Sequence, residues 1–135
     1  MSETYACHKV SEGVIEGDVL ISTDDFCFYL VDPKTGVVIE KNHCLEGQSI
    51  ADKILVFPSG KGSSVVQADG MYQLKMTGKG PKALIIKYPD TVLVASSIIM
   101  EMPVVDRVPN SFYEQVKNGD KLRVDADQGT LTILS

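Results

Sequence analysis

The sequence predicts a β-rich α/β domain, a layer or barrel of strands with helices packed outside it. Three features predict this. Short runs rich in Val, Ile and Thr, each ended by a single Gly or Pro, fill the first third and the C-terminal end of the chain. The middle alternates strand, helix, strand, helix and strand. The tightest glycine-rich bend, Phe57-Pro58-Ser59-Gly60-Lys61-Gly62-Ser63-Ser64, falls between an apolar run and a helical pattern. At 135 residues, with no internal repeat or low-complexity tract, residues 1–135 form one domain with one core.

Taken in order, Val14-Ile15 and Asp18-Val19-Leu20-Ile21-Ser22 read as strand on either side of a break at Gly17. Thr23 to Val31 carries an aromatic cluster, and two readings are open for it: core packing, or one wall of a cleft. The turn Asp32-Pro33-Lys34-Thr35-Gly36 leads into a predicted strand, Gly36 to Glu40. Lys53-Ile54-Leu55-Val56-Phe57 has the continuous apolar character of a central strand covered on both faces. After the bend, Ser64 to Thr77 places Val65, Ala68, Tyr72 and Met76 at helical spacing, a face suited to packing on the sheet. Gly70 weakens the middle of that helix, and Gly78-Lys79-Gly80-Pro81 ends it. Lys82 to Lys87 is the next strand, Thr91 to Met100 a buried helix, and Pro103 to Asp106 a short strand. Ser111 to Lys117 is a short helix capped by Ser111 or Asn110 and stopped by Asn118-Gly119. A hairpin closes the chain, Lys121–Asp125 against Thr130–Leu134.

Composition narrows the function. A net charge of −5 and the absence of Trp disfavour nucleic acid, whose phosphates demand a basic surface and whose bases stack on aromatic rings. Met1-Ser2-Glu3-Thr4-Tyr5 lacks the basic and apolar regions of a signal peptide, and no run reaches the roughly 18 apolar residues of a membrane span. A cytoplasmic location is expected. Cys7, Cys27 and Cys44 are odd in number and widely spaced, which fits reduced thiols better than disulfides. No two of them share the close spacing of cluster ligands, and no metal site is expected on this chain. In Asn42-His43-Cys44, adjacent side chains point to opposite faces, so a solvated loop is expected there; His8 is assigned no chemistry.

The chemistry gathers at the bend. The first turn of a helix leaves its amides unpaired and carries partial positive charge, so Gly60, Lys61, Gly62, Ser63 and Ser64 are expected to hold a small anionic substrate. A P-loop is excluded: Gly62 follows Gly60-Lys61 where Ser or Thr is required, and Leu55 stands where the opening glycine belongs. A nucleophile elbow fails on spacing, and the two histidines are poorly placed for a triad. What remains is a serine whose charged form is stabilised by surrounding donors.

The run Gly47-Gln48-Ser49-Ile50-Ala51 into Leu55-Val56-Phe57-Pro58-Ser59-Gly60-Lys61-Gly62-Ser63-Ser64 resembles the small subunit of the aconitase X family. Asp32-Pro33-Lys34-Thr35-Gly36 before it, and Pro81, Pro103-Val104-Val105-Asp106 and Gly119-Asp120 to Val124-Asp125 after it, extend the resemblance in matching order. It implies a swivelling β/β/α barrel like the swivel domain of aconitase, and a heterodimer with a large subunit that carries an iron–sulfur cluster, of 4Fe-4S type. No cofactor is then bound by this chain. The archaeal branch of the family dehydrates (R)-5-phosphomevalonate to trans-anhydromevalonate 5-phosphate in the mevalonate pathway; another branch dehydrates 3-hydroxyproline. Lys61-Gly62-Ser63-Ser64 is similar to the archaeal form. Carried over by position, the catalytic proton acceptor is Ser63; beyond the resemblance, Gly60, Gly62 and Ser64 are expected to supply amides and Lys61 positive charge to the substrate. Tyr29-Leu30-Val31 and Val65-Val66-Gln67 depart from the small residues usual in the family, which leaves substrate identity open. A module that binds an anionic metabolite without chemistry, or a scaffold whose bend only caps a helix, are the other readings.

Overall fold

The structure, a computed structural model, describes residues 3–134; the reading of Met1-Ser2 lies outside them. Along the chain come strands β1 (Glu3–Ala6), β2 (His8–Ser11) and β3 (Val14–Ile21), a 3-10 turn at Phe28–Leu30, and strand β4 (Lys53–Phe57). Helix α1 (Ser64–Thr77), strand β5 (Ala83–Ile86), helix α2 (Thr91–Ile99), strand β6 (Val104–Asp106), helix α3 (Asn110–Gln115) and strands β7 (Lys121–Asp125) and β8 (Thr130–Leu134) follow. The strands form one sheet in the order β1-β8-β7-β3-β4-β5-β6-β2. The central strands β3, β4, β5 and β6 run parallel, and the remaining pairings are antiparallel.

The two outermost strands are β1 and β2, and Cys7 alone separates them in the chain. Both sheet edges must therefore meet at Cys7, whose amide donates to the Gly129 carbonyl at 2.9 Å. The sheet is curled into a barrel with an N-terminal seam. Its strands are covered on both faces, as the continuous apolar character of Lys53–Phe57 requires. Ile54 and Val56 join Val19, Ile85, Val105, Leu122, Val124, Leu131 and Tyr5 in a cluster closed by Phe112 and Val116 of the α3 region. Leu55 and Phe57 turn the other way, toward Phe26, Phe28, Met71, Leu74, Leu84 and Leu93. That second cluster holds α1, α2 and the long excursion between β3 and β4.

Several expectations are corrected. Val14 to Ile21 is one strand, with Gly17 in extended pairing opposite Leu122, so Gly17 is no break. Gly36 to Glu40 forms only isolated bridges, Val31–Val38 and Val37–Ser49; the Gly36, Val38 and Ile39 amides are spent on loop carbonyls, and Val38 enters the core while Ile39 faces out. Strands β1 and β2 were not expected at all. Helix α3 begins after Pro109 and ends at Gln115, without a side-chain cap from Asn110 or Ser111. Helix α2 buries Leu93, Ser96 and Ser97 and exposes Ile98 and Ile99, so it is a surface helix. In α1 the predicted face is turned outward: Val65, Tyr72 and Met76 are exposed, while Gln67, Gly70, Met71 and Leu74 are buried. The aromatic cluster divides. Phe26 and Phe28 pack on Phe57, whereas Tyr29 and Leu30 face out.

Candidate functional site

Strands β3, β4 and β5 are parallel neighbours, so the loops that leave their C-terminal ends gather at one place. Backbone bonds tie those loops together: Phe26 N–H donates to Ser59 O (2.9 Å), Lys61 N–H to Phe26 O (3.0 Å), and Tyr88 N–H to Pro58 O (2.7 Å). Ser59 Oγ donates to an Asp25 carboxylate oxygen at 3.0 Å. The Gly60–Ser64 bend lies in this seat.

Ser63 is the N-cap of α1. Its backbone is extended (φ −69°, ψ 163°), and its hydroxyl accepts from the Val66 amide at 3.3 Å. The amides of Gly62, Ser63 and Ser64 have no acceptor among the described residues. They stand beside the exposed Ser63 side chain at the positive end of α1. Gly62 adopts φ +103°, a conformation that favours glycine, and turns the chain into the helix. Gly60 is glycine for want of room: a Cβ there would lie 2.8 Å from Leu93 Cδ1, 3.1 Å from Gln67 Oε1 and 3.3 Å from Asp90 Oδ2. Asp90 caps α2 through its bond from the Leu93 amide (2.9 Å), so two helix N-termini meet across Gly60.

Lys61 does not stand free beside these amides. Its ammonium is paired with the half-buried Glu40, and that hydrogen bond, with the nearby Glu40 and Asp24 charges, holds it above the ordinary lysine pKa against desolvation. The bend thus offers backbone amides first and a compensated cation second.

His43, expected on a solvated loop, is buried. Its Nδ1 accepts from the Leu45 amide at 3.0 Å, and Nε2–H donates to the Asp25 carbonyl at 3.1 Å, with the ring edge-on to Phe26. It fixes the Asp25–Phe26 loop against which the bend is held. Donor atoms of Asp24, His43 and Cys44 lie within 4.8 Å of one another. Two of them are already engaged, however: Asp24 Oδ2 accepts the Cys44 amide at 2.9 Å, which lowers the Asp24 pKa, and His43 Nδ1 holds Leu45. This is a hydrogen-bonded clamp. All three cysteines are free thiols, Cys27 buried, Cys7 half-buried and Cys44 exposed.

The sequence marks Gly60 to Ser64 and does not mark Asp25, Glu40, His43, Gln67 and Asp90, which the structure gathers around that bend. Asp25, Glu40 and Asp90 reach the bend from other segments, Gln67 from the first turns of α1, and His43 acts through the Asp25–Phe26 loop; only the Asp90-Thr91 start of a helical run carries a local sign of its place. No helix among the described residues is long and apolar enough to cross a membrane.

A family model described as the aconitase X swivel domain matches residues 4–133. The phosphomevalonate dehydratase small subunit of Methanosarcina acetivorans is 44% identical over 126 residues, covering 93% of this chain and 87% of that protein. The phosphomevalonate dehydratase small subunit of Thermococcus kodakarensis is 44% identical over 127 residues, covering 93% and 92%. The crystal structure of Thermococcus kodakaraensis aconitase X in its holo-form matches with a TM-score of 0.89 at 42% identity, covering 98% of this chain and 99% of that one.

Proposed function

The chain belongs to the aconitase X swivel-domain family, and from that premise we propose that it is the small subunit of a hydro-lyase that dehydrates (R)-5-phosphomevalonate to trans-anhydromevalonate 5-phosphate. One observation carries the reading: an exposed serine hydroxyl caps a helix beside three uncommitted amides, where three parallel strands end. The relatives' names supply the substrate, and the geometry is suited to an anion of that kind.

Within this reading the amides of Gly62, Ser63 and Ser64 receive an anionic group of the substrate and orient it. Ser63 Oγ takes the proton from the carbon α to the carboxylate. A serine hydroxyl is a weak base, so its charged form must be favoured; the Val66 N–H and the positive end of α1 are placed to do so. Departure of the hydroxyl needs a Lewis acid, which the family resemblance assigns to an iron–sulfur cluster on the large subunit. This chain would then be inactive alone.

The surface supports a partner. Val65, Tyr72 and Met76 fall on one stripe of α1 and are exposed, with Tyr29 and Leu30 exposed on the turn packed against that helix. The stripe begins two residues after Ser63, so a subunit covering it would also close the cradle. Mixing the chain with its large subunit and assaying dehydration of 5-phosphomevalonate and 3-hydroxyproline tests the proposal. Turnover of phosphomevalonate by the pair and by neither chain alone is expected; preference for 3-hydroxyproline would move the protein to the other branch.

A further inference from the structure

Gln67 is buried at 6% exposure directly beneath the bend. Its Nε2 donates to the Gly62 carbonyl at 2.9 Å. A carbonyl only accepts, so this bond fixes which end of the amide faces Gly62. The oxygen end is left without a donor among the described residues and is aimed at Gly60, 3.1 Å from where a Cβ would stand. In a trans peptide the C=O and the N–H that follows it point in opposite directions. Drawing the Gly62 carbonyl inward onto Gln67 therefore turns the Ser63 N–H outward, into the cradle. Gly62 itself adopts φ +103°, a conformation that favours glycine.

We propose that Gln67 is a positioning residue that locks the Gly62–Ser63 peptide with its N–H facing the bound anion. Without the lock this peptide can rotate and present its carbonyl, which repels an anion. The unpaired, buried oxygen of Gln67 marks the corner as more than a helix cap, because a cap alone needs neither end of that amide. The inference deepens the proposed function and rests on its anion-docking step.

The test uses the full chain titrated with inorganic phosphate and followed at the Ser63 amide by two-dimensional NMR, beside steady-state kinetics of the reconstituted pair. Gln67→Met keeps length and loses the donor. Phosphate affinity is expected to fall about tenfold, and KM for 5-phosphomevalonate to rise about tenfold with kcat changed less than about threefold. Gln67→Glu adds a pH signature. The ionised carboxylate repels the Gly62 carbonyl, whereas the protonated acid donates to it as the amide does, so the KM defect should shrink as pH falls, a trend absent from the native pair. That recovery also keeps the test valid if Gln67→Met folds poorly. A native chain that responds to phosphate and a Gln67→Met chain that responds equally, with unchanged KM, overturn the lock alone. A native chain whose bend amides ignore phosphate overturns the lock and the anion docking together. If the pair turns over 3-hydroxyproline instead, only the substrate reading fails, because loss of phosphate affinity in Gln67→Met supports the lock independently.

Discussion

Ser63 has two duties that ordinarily belong to different residues, capping α1 and facing the cradle. They can be separated. Ser63→Ala removes both, with an expected loss of about 1 kcal/mol of stability from the missing cap and, on the proposed function, at least about a hundredfold of turnover from loss of the proton acceptor. Ser63→Asn restores the cap without a hydroxyl, so denaturant unfolding should return close to native while the reconstituted pair stays inactive. Full turnover in Ser63→Asn would reduce the serine to a cap. Cys44 gives a second prediction at this scale. Burial pushes its thiol up, but hydrogen bonds from the Ser22 and Thr23 side chains and from the Asp24 and Thr23 backbone outweigh it and leave the pKa below the ordinary value. Burial and the Asp106 and Asp125 charges push Cys7 up to about 11, and Cys27 is buried. Since the thiolate is the nucleophile, iodoacetamide near neutral pH should alkylate Cys44 first; peptide mapping that finds Cys7 modified before it would contradict the assigned hydrogen bonds. The bend was legible in the sequence because glycine, hydroxyl and helix start are neighbours in the chain. Gln67 was not, since its role depends on which way α1 is rotated.

That rotation is set by Gly70. In the sequence it looked like a weak point of the helix. In the structure a Cβ at Gly70 would lie 2.3 Å from Tyr29 N and 2.5 Å from Phe28 C, both backbone atoms that cannot swing aside. Glycine lets α1 lie directly on the 3-10 turn, and Met71 and Leu74 follow it into the core. Gly70→Ala should destabilise the chain by about 2 kcal/mol although alanine is the better helix former by about 1 kcal/mol, and a urea midpoint at or above native would refute the close approach. The apolar spacing of Val65, Ala68, Tyr72 and Met76 was read correctly as one face and wrongly as the inward one. Periodicity tells which residues share a side of a helix; it does not tell which side meets the sheet, and a chain with an exposed apolar stripe defeats the default assumption. The hairpin and Lys53–Phe57 were read to the residue, because a turn signal and a continuous apolar run are decided locally.

At the scale of the molecule, the outward stripe should matter to assembly and little to folding. Tyr72→Glu with Met76→Glu replaces exposed side chains, so stability should stay within about 0.5 kcal/mol of native, while co-elution with the large subunit on size exclusion is lost. An undisturbed complex would place the interface elsewhere. The strand order could not be read from the sequence. Glu3 to Ser11 shows no clean alternation, and nothing local says that these two short strands pair with β8 and β6 at opposite edges of the sheet. The irregular Gly36 to Glu40 segment was misread for a related reason: its Val and Ile content is strand-like, but its partners are turns.

The seam at Cys7 also orders events in time. Thr4 meets Thr132 across 128 positions of chain, so β1 has no partner until the last strand exists. The ribosome makes the N-terminal ribbon first, yet β2 must wait for β6 and β1 for β8 before each can dock. Closing so long a loop carries a large entropic cost that only the finished barrel repays. The parallel core and its Gly60–Ser64 corner can assemble before the seam closes, and the barrel is shut last.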